Sequence, residues 1–530
     1  MRQPEHDRRL MLSFEGKELP ESVAATIANQ DVSGITLFRP HNYETPEQLR
    51  ALNESVQLTS QTELPMLIAI DQEGGQLHAF GAPATMWVGN MALGAADDVD
   101  LTRAVGAALG QELRAVGINV NYAPVADLAS NPANPATGAR SFGDDPELVT
   151  RHVVAMIEGL QSSGVAATVK HFPGKGDSAV DSHHAMPIIT HDLEHLEAAV
   201  FPPFRAAVSA GVKLAMTGHF ALPAITGSED LPCTLAYEAN TGLLRDDMGF
   251  EGVMITDALD MKALKQGAFQ IVDIIAAINS GVDLLLLTAD PDQEERATVG
   301  LELAVSRRLI SPDRLAEADL RVIALREWVA SFATPGLDAV GSAEHADLNA
   351  QAAEESIVLV RNERNLIPLA GNEGTRILVV EVQPDILTPA DTSNYEQPHL
   401  AEALRKVMPG HVESLVIPMD PGPEYATAVT SAAQQADVVV LGTSAASLFE
   451  NQASLGNRLI SDHEKVVVVA QRTPWDLTVL PGASTYLCAW SVNEASARAA
   501  ARALAGLAPI TGTLPVAVGD IVSGFGINLP

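Results

Sequence analysis

The sequence predicts an α/β protein in which a (β/α)8-type TIM barrel is followed by a smaller α/β (αβα) sandwich domain. Short apolar segments alternate with amphipathic ones, which indicates parallel strands joined by crossover helices. About seven such units fill roughly the first 330 residues, a size that favours a closed barrel over an open sheet. The whole chain has 530 residues, too many for one ordinary domain. An irregular or incomplete barrel fits the same pattern.

Seven segments of the first part are predicted to be buried strands, because each is a short and nearly uninterrupted apolar run. These strands are predicted at residues 34–38, 66–70, 118–122, 165–169, 214–217, 252–256 and 282–287. Apolar residues at helical spacing predict helices at residues 101–116, 146–162, 193–210 and 235–248. The last helix of this part is predicted at residues 312–330, with Pro312 in its first turn.

A stretch containing Pro335, Gly336 and Gly341 interrupts the pattern after that helix. We therefore predict a barrel domain at residues 1–334, a linker at residues 335–350 and a sandwich domain at residues 351–530. Strands of the second domain are predicted at residues 377–382, 412–417, 438–442, 466–470 and 486–489. Helices are predicted there at residues 348–357 and 495–504.

The composition excludes several kinds of partner. The chain carries 33 Lys and Arg against 67 Asp and Glu, a formal net charge of −34, so it repels phosphate backbones and anionic lipid. We expect no nucleic-acid or membrane partner. Neither a membrane span nor the apolar core of a signal peptide is visible, so we expect a cytoplasmic protein. Cys233 and Cys488 indicate neither a disulfide framework nor a metal site. The sequence leaves the oligomeric state open.

Polar residues follow five of the predicted barrel strands. They are Asp71, Asp127, Lys170 with His171, His219 and Asp257. One such residue is usually a cap, and Asp257 alone fits the N-cap of a following helix. Five of them at the carboxyl ends of parallel strands converge on one mouth of a barrel, which is where barrel enzymes have their active sites.

The types of these residues favour sugar chemistry. Carboxylates, a guanidinium, an ammonium and an imidazole bind hydroxyl groups, and the candidates are Asp71, Asp127, Arg140, Lys170 and His171. The histidines lack the paired ligand spacing of a metal site, so we expect no metal. The glycine-rich loop at residues 174–176 lacks the full pattern of a phosphate-binding loop. An isolated lysine at a strand end also permits a Schiff-base role for Lys170, which the neighbouring Arg140 and Asp257 fit less well.

The motifs around these residues resemble those of bacterial β-N-acetylglucosaminidases of glycoside hydrolase family 3, the type associated with cell-wall recycling. The matching segments of the first domain are DQEGG at residues 71–75, NYAPVAD at 121–127, ARSFG at 139–143, KHFPGKG at 170–176, DSH at 181–183 and TDALDM at 256–261. In the second domain, ESIVLVRN at residues 355–362 and GTLPV at 512–516 also match. The resemblance thus covers both predicted domains.

The resemblance implies a retaining exo-β-N-acetylglucosaminidase without cofactor. Asp257 is then the nucleophile that forms a glycosyl-aspartate, and His183 is the general acid/base, paired with Asp181. An imidazole suits this role because its pKa near 6.5 lies close to the working pH, and Asp181 can orient the ring. The residues that would hold the N-acetylglucosamine ring are Asp71, Asp127, Arg140, Lys170 and His171.

Several alternatives stay open at this point. A phosphorylase would use the same aspartate with phosphate in place of water, and a catalytically silent sugar-binding protein would keep the fold. Catalysis assisted by the substrate's acetamido group is a third alternative. His183 could also be an exposed loop histidine. Gln76 to Ala79 lack the arginine that the family often has there, and Lys175 stands where a histidine is common. The choice between muropeptides and chitin fragments therefore stays open.

Overall fold

Eight parallel strands form the first sheet in this computed structural model, which describes residues 7–178, 182 and 185–530. In chain order they are β1 (Leu10–Leu12), β2 (Gly34–Leu37), β3 (Leu67–Ile70), β4 (Val120–Asn121), β5 (Ala166–Phe172), β6 (Leu214–Thr217), β7 (Val253–Thr256) and β8 (Leu285–Leu286). Strands β1 to β7 each pair with the next, and β8 pairs with β1. A parallel bridge between Ile255 and Leu284 joins β7 to the residue before β8 and closes the barrel. The predicted fold class is confirmed.

Two strands of the barrel differ from the prediction. Strand β1 was not predicted, because three residues are too few to show a periodic pattern. Strand β5 does not stop before Lys170 but continues through His171 to Phe172, and all seven of its residues are buried. The two polar side chains therefore project from a strand held by hydrogen bonds on both sides.

Helices connect the strands of the barrel. Their bounds are Glu21–Asn29, Arg39–Asn42, Pro46–Thr59, Asn90–Ala96, Val99–Ala115, Pro146–Ser162, Leu193–His195, Pro202–Ser209, Pro223–Thr226, Gln270–Ser280, Pro291–Ser306 and Pro312–Ala330. Two wider helical segments with i to i+5 hydrogen bonds occupy Leu196–Val200 and Glu238–Asp247. Short single turns lie at Gly138–Arg140, Cys233–Leu235 and Gly267–Phe269.

The helix starts follow from local sequence. An Asp, Ser or Thr side chain accepts a backbone N–H at the start of five long helices, namely at Thr45, Asp98, Asp145, Asp290 and Ser311. The helix predicted at residues 193–210 is interrupted instead, because Pro202 and Pro203 have no amide hydrogen to donate to the preceding turn.

The interior of the barrel is filled at its amino-terminal end. Inward-facing side chains such as Leu67, Val120 and Tyr122 pack together with Val322 and Leu325 of the helix Pro312–Ala330. That helix therefore closes the barrel at the amino-terminal ends of its strands. The carboxyl ends of the strands stay accessible, and the polar strand-end residues lie there.

The second sheet has six strands and is mixed. In chain order they are β9 (Val358–Asn362), β10 (Arg376–Val382), β11 (His411–Ile417), β12 (Val438–Thr443), β13 (Val466–Ala470) and β14 (Thr485–Cys488). Their spatial order is β9-β14-β13-β12-β10-β11, and only β9 is antiparallel to its neighbour. Five strands match the predicted ones to within one residue at each end, whereas β9 was not predicted.

Helices of this part of the chain occupy Ala343–Glu355, Leu400–Val407, Pro423–Ala433, Glu450–Asp462, Asp476–Val479 and Glu494–Leu504. The strand order changes direction between β10 and β12, and loops at such a point in an α/β sheet tend to carry binding residues. The loop after β10, residues 383–399, leaves the sheet there and extends to the barrel. The division of the chain at residues 334 and 350 stays a prediction.

Among the residues that the structure describes, none of the helices combines the length and the apolar character needed to cross a membrane.

Candidate active site

A cavity of about 520 Å³ lies at the carboxyl ends of the barrel strands. Of the residues predicted from the sequence, Asp71, Arg140, Lys170, His171 and Asp257 line it. The strand-end residues of β3, β5 and β7 thus meet as expected for a barrel.

Lys170 is held by two carboxylates. Its Nζ lies 2.6 Å from Oδ1 of Asp71 and 2.6 Å from Oε1 of Glu73, and its side chain is almost completely buried. Burial alone would lower the pKa of Lys170, but the two carboxylates outweigh it and raise the pKa above its ordinary value. The amine is therefore a protonated hydrogen-bond donor and not a nucleophile, so a Schiff-base role does not fit.

Glu73 is the link between Lys170 and Arg140. The Arg140 guanidinium donates from Nε and Nη2 to the two Glu73 oxygens, each at 2.8 Å, and from Nη1 to the carbonyl of Ala136. Burial alone would raise the pKa of Glu73, but the charges of Arg140 and Lys170 lower it to about 2. The carboxylate thus stays ionised and fixes both cations in the cavity wall.

Glu73 was not predicted as a site residue. It lies in the DQEGG motif two residues after Asp71, and alternate residues of an extended segment share a face. That spacing was the signal that could have identified it as a partner for the cations.

Asp71 keeps a carboxylate oxygen towards the cavity. Its side chain is 23% exposed, and Lys170 binds Oδ1. Burial raises the pKa of Asp71, and the Lys170 ammonium opposes that rise. A carboxylate in this position can accept hydrogen bonds from sugar hydroxyls.

Asp127 is enclosed by protein. Its Oδ2 lies 2.7 Å from Nδ1 of His171, and its Oδ1 accepts the backbone N–H of Lys175 at 2.8 Å. The side chain has no exposed area, and burial raises its pKa above the ordinary value. The geometry therefore favours a positioning role for Asp127, which orients His171 and the loop after β5, over direct contact with a sugar.

Asp257 follows β7 directly. Its N–H donates to the carbonyl of Thr217 at 3.0 Å, which continues the pairing of β6 with β7. Its Oδ1 accepts the N–H of Ala258 at 2.9 Å, and the side chain is 15% exposed. The nearest helical turn begins at Gly267, so the alternative of an ordinary helix N-cap is wrong.

His219 supports the loop that carries Asp257. Its Nε2 lies 3.0 Å from the carbonyl of Ala258 and its Nδ1 lies 2.7 Å from Oγ1 of Thr234. Burial lowers the pKa of this imidazole, so it is neutral at pH 7. His219 is buried and does not line the cavity, whereas Lys170 and His171 of β5 and Asp257 after β7 do line it.

The second domain supplies one wall of the cavity. The contributing residues belong to the loop after β10 and are Ile386, Thr388, Pro389, Ala390, Asp391, Thr392, Asn394 and Tyr395. Thr392 donates its N–H to the carbonyl of Gln76 at 2.8 Å and accepts the N–H of His78 on Oγ1 at 2.9 Å. Opposite this loop, the Arg39 guanidinium carbon lies 4.3 Å from the ring centroid of Tyr395. No local sequence pattern indicated this contribution, because it depends on contacts between residues more than 300 positions apart.

The predicted acid/base pair, His183 and Asp181, lies outside the residues that the structure describes. The described neighbours Ser178 and Ser182 are buried; Ser178 donates its N–H to the carbonyl of Lys175 at 3.2 Å, and the carbonyl of Ser182 accepts the N–H of Ala263 at 3.3 Å. Within residues 7–178, 182 and 185–530, no group of three or more His, Cys, Asp or Glu side chains is arranged to hold a metal ion.

Comparison with known proteins agrees with this geometry. The model of the glycosyl hydrolase family 3 N-terminal domain matches residues 8–325, and that of the family's C-terminal domain matches residues 357–523. The chain belongs to glycosyl hydrolase family 3. The expectation of a glycoside hydrolase is thus confirmed at the level of the family.

Individual relatives of this family 3 chain include a β-hexosaminidase A of Pseudoalteromonas piscicida, 33% identical over 67% of this chain and 63% of the relative. A protein of Cellulomonas fimi named β-N-acetylglucosaminidase/β-glucosidase is 32% identical over 62% of this chain and 60% of the relative. The chain thus spans about three fifths of the length of these curated relatives.

A solved structure covers the whole fold. The glycoside hydrolase family 3 β-N-acetylglucosaminidase from Paenibacillus sp. str. FPU-7 is 32% identical and superposes with a TM-score of 0.91. The match covers 99% of this chain and 100% of that one. The two-part architecture of barrel and mixed sheet is therefore shared with that enzyme.

Proposed function

We propose that the protein is a retaining exo-β-N-acetylglucosaminidase that acts on oligosaccharides with a terminal β-linked N-acetylglucosamine. The observation that carries the proposal is the meeting of Asp257 with the clamp of Asp71, Lys170 and Arg140 in one cavity of a family 3 fold. The names of the relatives at 32–33% identity support the hexosamine substrate.

The shape of the cavity supports exo action. It ends on Met216 and Leu286, which also belong to the packed interior of the barrel. Packed side chains thus form the cavity floor among the described residues, which fits a cavity that takes the end of a sugar chain and not the middle of a polysaccharide.

The proposed mechanism is a double displacement. An Asp257 oxygen attacks the anomeric carbon while the glycosidic bond breaks, and the leaving oxygen takes a proton from the His183 imidazole that Asp181 orients. The same imidazole then takes a proton from water, which attacks the anomeric carbon and releases Asp257. Asp71, Arg140, Lys170 and His171 hold the sugar hydroxyls, and no cofactor takes part.

The biological role, the location and the choice between hydrolase and phosphorylase also belong to the proposal. The motif resemblance supports a role in peptidoglycan recycling, and a cytoplasmic location stays a prediction from the sequence. A phosphorylase is not favoured, since the relatives at 32–33% identity are named hexosaminidases or N-acetylglucosaminidases.

Product analysis with p-nitrophenyl N-acetyl-β-glucosaminide, with and without phosphate, tests the proposal. We expect free N-acetylglucosamine in both samples and a loss of about 10⁴-fold or more in turnover for Asp257→Ala, because the nucleophile is removed. Asp313→Ala is the control, since Asp313 is exposed at the start of the helix that closes the opposite end of the barrel. A sugar phosphate formed only with phosphate, or full activity in Asp257→Ala, would contradict the proposal.

A further inference from the structure

Lys175 is a buried cation in the wall of the cavity. Its Nζ lies 4.0 Å from Oδ2 of Asp257, and the two side chains are 6% and 15% exposed. At this distance an ammonium acts on a carboxylate through its charge, and the small exposure keeps solvent from screening the interaction.

The backbone of Lys175 is fixed on both sides of the residue. Its N–H donates to Oδ1 of Asp127, and its carbonyl accepts from Ser178 N–H at 3.2 Å and from Asn134 Nδ2 at 3.3 Å. The next residue is Gly176, where an added Cβ would lie 1.8 Å from the carbonyl oxygen of Leu128. The loop is thus packed too closely to shift, and the lysine side chain starts from a defined point.

The cations deeper in the cavity are balanced by other carboxylates. Lys170 is paired with both Asp71 and Glu73, and Arg140 is paired with Glu73. His171 contacts Asp127, and the neutral His219 contacts the peptide after Asp257.

Among the residues that the structure describes, the other charged and titratable groups of the cavity lie on the loop of Asp257 or on the loops around the cavity entrance. Asp260 shares the loop of Asp257 and adds a negative charge to it. Arg39, His41 and Tyr395 line the mouth, and Asp391 is paired with Arg472. Among the described residues, Lys175 is the cation whose ion pair is with Asp257.

We infer that Lys175 is a positioning residue that keeps Asp257 ionised for attack and stabilises its carboxylate when it is released in the second step. The inference rests on the proposed function. In the first step the carboxylate forms the bond to the anomeric carbon and loses its charge. In the second step the water oxygen bonds to the anomeric carbon and the ester bond to Asp257 breaks. The electron pair of that bond returns to Asp257 as negative charge. The ammonium favours the charged form and therefore assists the second step.

The dependence of kcat/KM on pH tests this inference. In Lys175→Met the side chain keeps its length and loses its charge, so the midpoint of the acid limb should move up by about one pH unit. Release of the sugar should also slow, so that p-nitrophenol appears in a burst before steady turnover. Lys175→Arg keeps the charge and should leave the acid midpoint in place. Lys213→Met, at the amino-terminal side of β6, is the control for loss of a lysine elsewhere.

Each possible result either supports or overturns the role inferred for Lys175. An acid midpoint that stays in place in Lys175→Met, with the wild type active, overturns the inference and leaves the proposed function standing. Lys175→Gln provides the same comparison if the methionine variant does not fold, and thermal unfolding shows whether each variant is folded. A wild-type protein without any turnover contradicts the proposed function, and the inference with it.

Discussion

At the scale of single residues, the cavity depends on a chain of opposite charges. Asp71, Lys170, Glu73 and Arg140 alternate in sign, and each contact between them is 2.6–2.8 Å long. Breaking one buried pair by removing one partner typically costs about 3–5 kcal/mol, because the other charge is left without compensation. Lys170 and Glu73 are the two inner members and each has two partners of opposite charge, so the loss of Glu73 removes a partner from both Lys170 and Arg140.

Glu73→Gln should therefore weaken both stability and substrate binding. We expect the free energy of unfolding to fall by about 3 kcal/mol and KM to rise about tenfold, because Lys170 and Arg140 lose their fixed positions. Steady-state kinetics and thermal unfolding measure the two effects. Since the pKa of Glu73 is about 2, the residue is ionised throughout the assay range and the effect should not vary with pH.

A matched control for this variant is Glu112→Gln. Glu112 is also a buried glutamate, and it bonds His345 at 2.9 Å and the hydroxyl of Thr85 at 2.6 Å, away from the cavity. It should lower stability without raising KM. An unchanged KM in Glu73→Gln would show that the clamp has no part in binding.

At the scale of elements, the loop after β10 is held in shape by one buried acid. Asp391 accepts the N–H groups of Leu387 and Ser393 at 3.0 and 2.9 Å and pairs with Arg472 at 2.6 Å. Both charged side chains are nearly or fully buried. The wall that the second domain adds to the cavity therefore depends on this ion pair.

Arg472→Met should loosen that wall and impair substrates in proportion to the size of their leaving group. We expect kcat/KM for N,N′-diacetylchitobiose to fall about tenfold, because the leaving sugar loses a positioned contact surface. The corresponding glycosyl fluoride, whose leaving group is a single atom, should be hydrolysed as by the wild type. Arg458→Met, which removes an exposed pair with Asp462, is the control. Equal losses on both substrates would argue against a leaving-group wall.

The sequence predicted most helices and strands and the candidate site residues at the strand ends. The elements and contacts that it did not predict depend on short segments or on how loops pack. Strands β3 and β5 carry strong apolar runs followed by polar residues, so Asp71, Lys170 and His171 were identified. Strand β1 has only three residues, which is too short for a periodic signal. Asp127 differs in another way: its position was predicted, but its enclosure by His171 and the Lys175 amide depends on how loops pack.

At the scale of the whole molecule, the two domains are joined through the segment that follows Asp71. His78 is fully buried there, its N–H donates to Thr392, and its Nε2 lies 3.0 Å from the carbonyl of Trp87. Asn349 bonds the neighbouring residues Val88 and Met86 from the helix Ala343–Glu355. Burial lowers the pKa of His78 from its ordinary value to about 4, so the imidazole is neutral at the working pH.

This buried imidazole should make the whole molecule sensitive to acid. The unfolded chain binds a proton at His78 below about pH 6.5, whereas the folded chain does so only near pH 4, so folding stability falls as the pH drops from 6.5 to 4. The loss amounts to about 3 kcal/mol over that window. Thermal unfolding at several pH values measures this effect. The unfolding temperature should vary less with pH in His78→Gln than in the wild type. Parallel curves for the two proteins would contradict the assignment.

The shared cavity also has a consequence for how such a protein can change over evolutionary time. The strands of the barrel carry Asp257 and the clamp around Lys170, whereas the loop at residues 386–395 faces the same space from another sheet. Mutations in that loop can reshape the surface that meets incoming molecules while the reacting groups stay untouched. Selection can therefore adjust preference and chemistry separately, each through its own half of the chain.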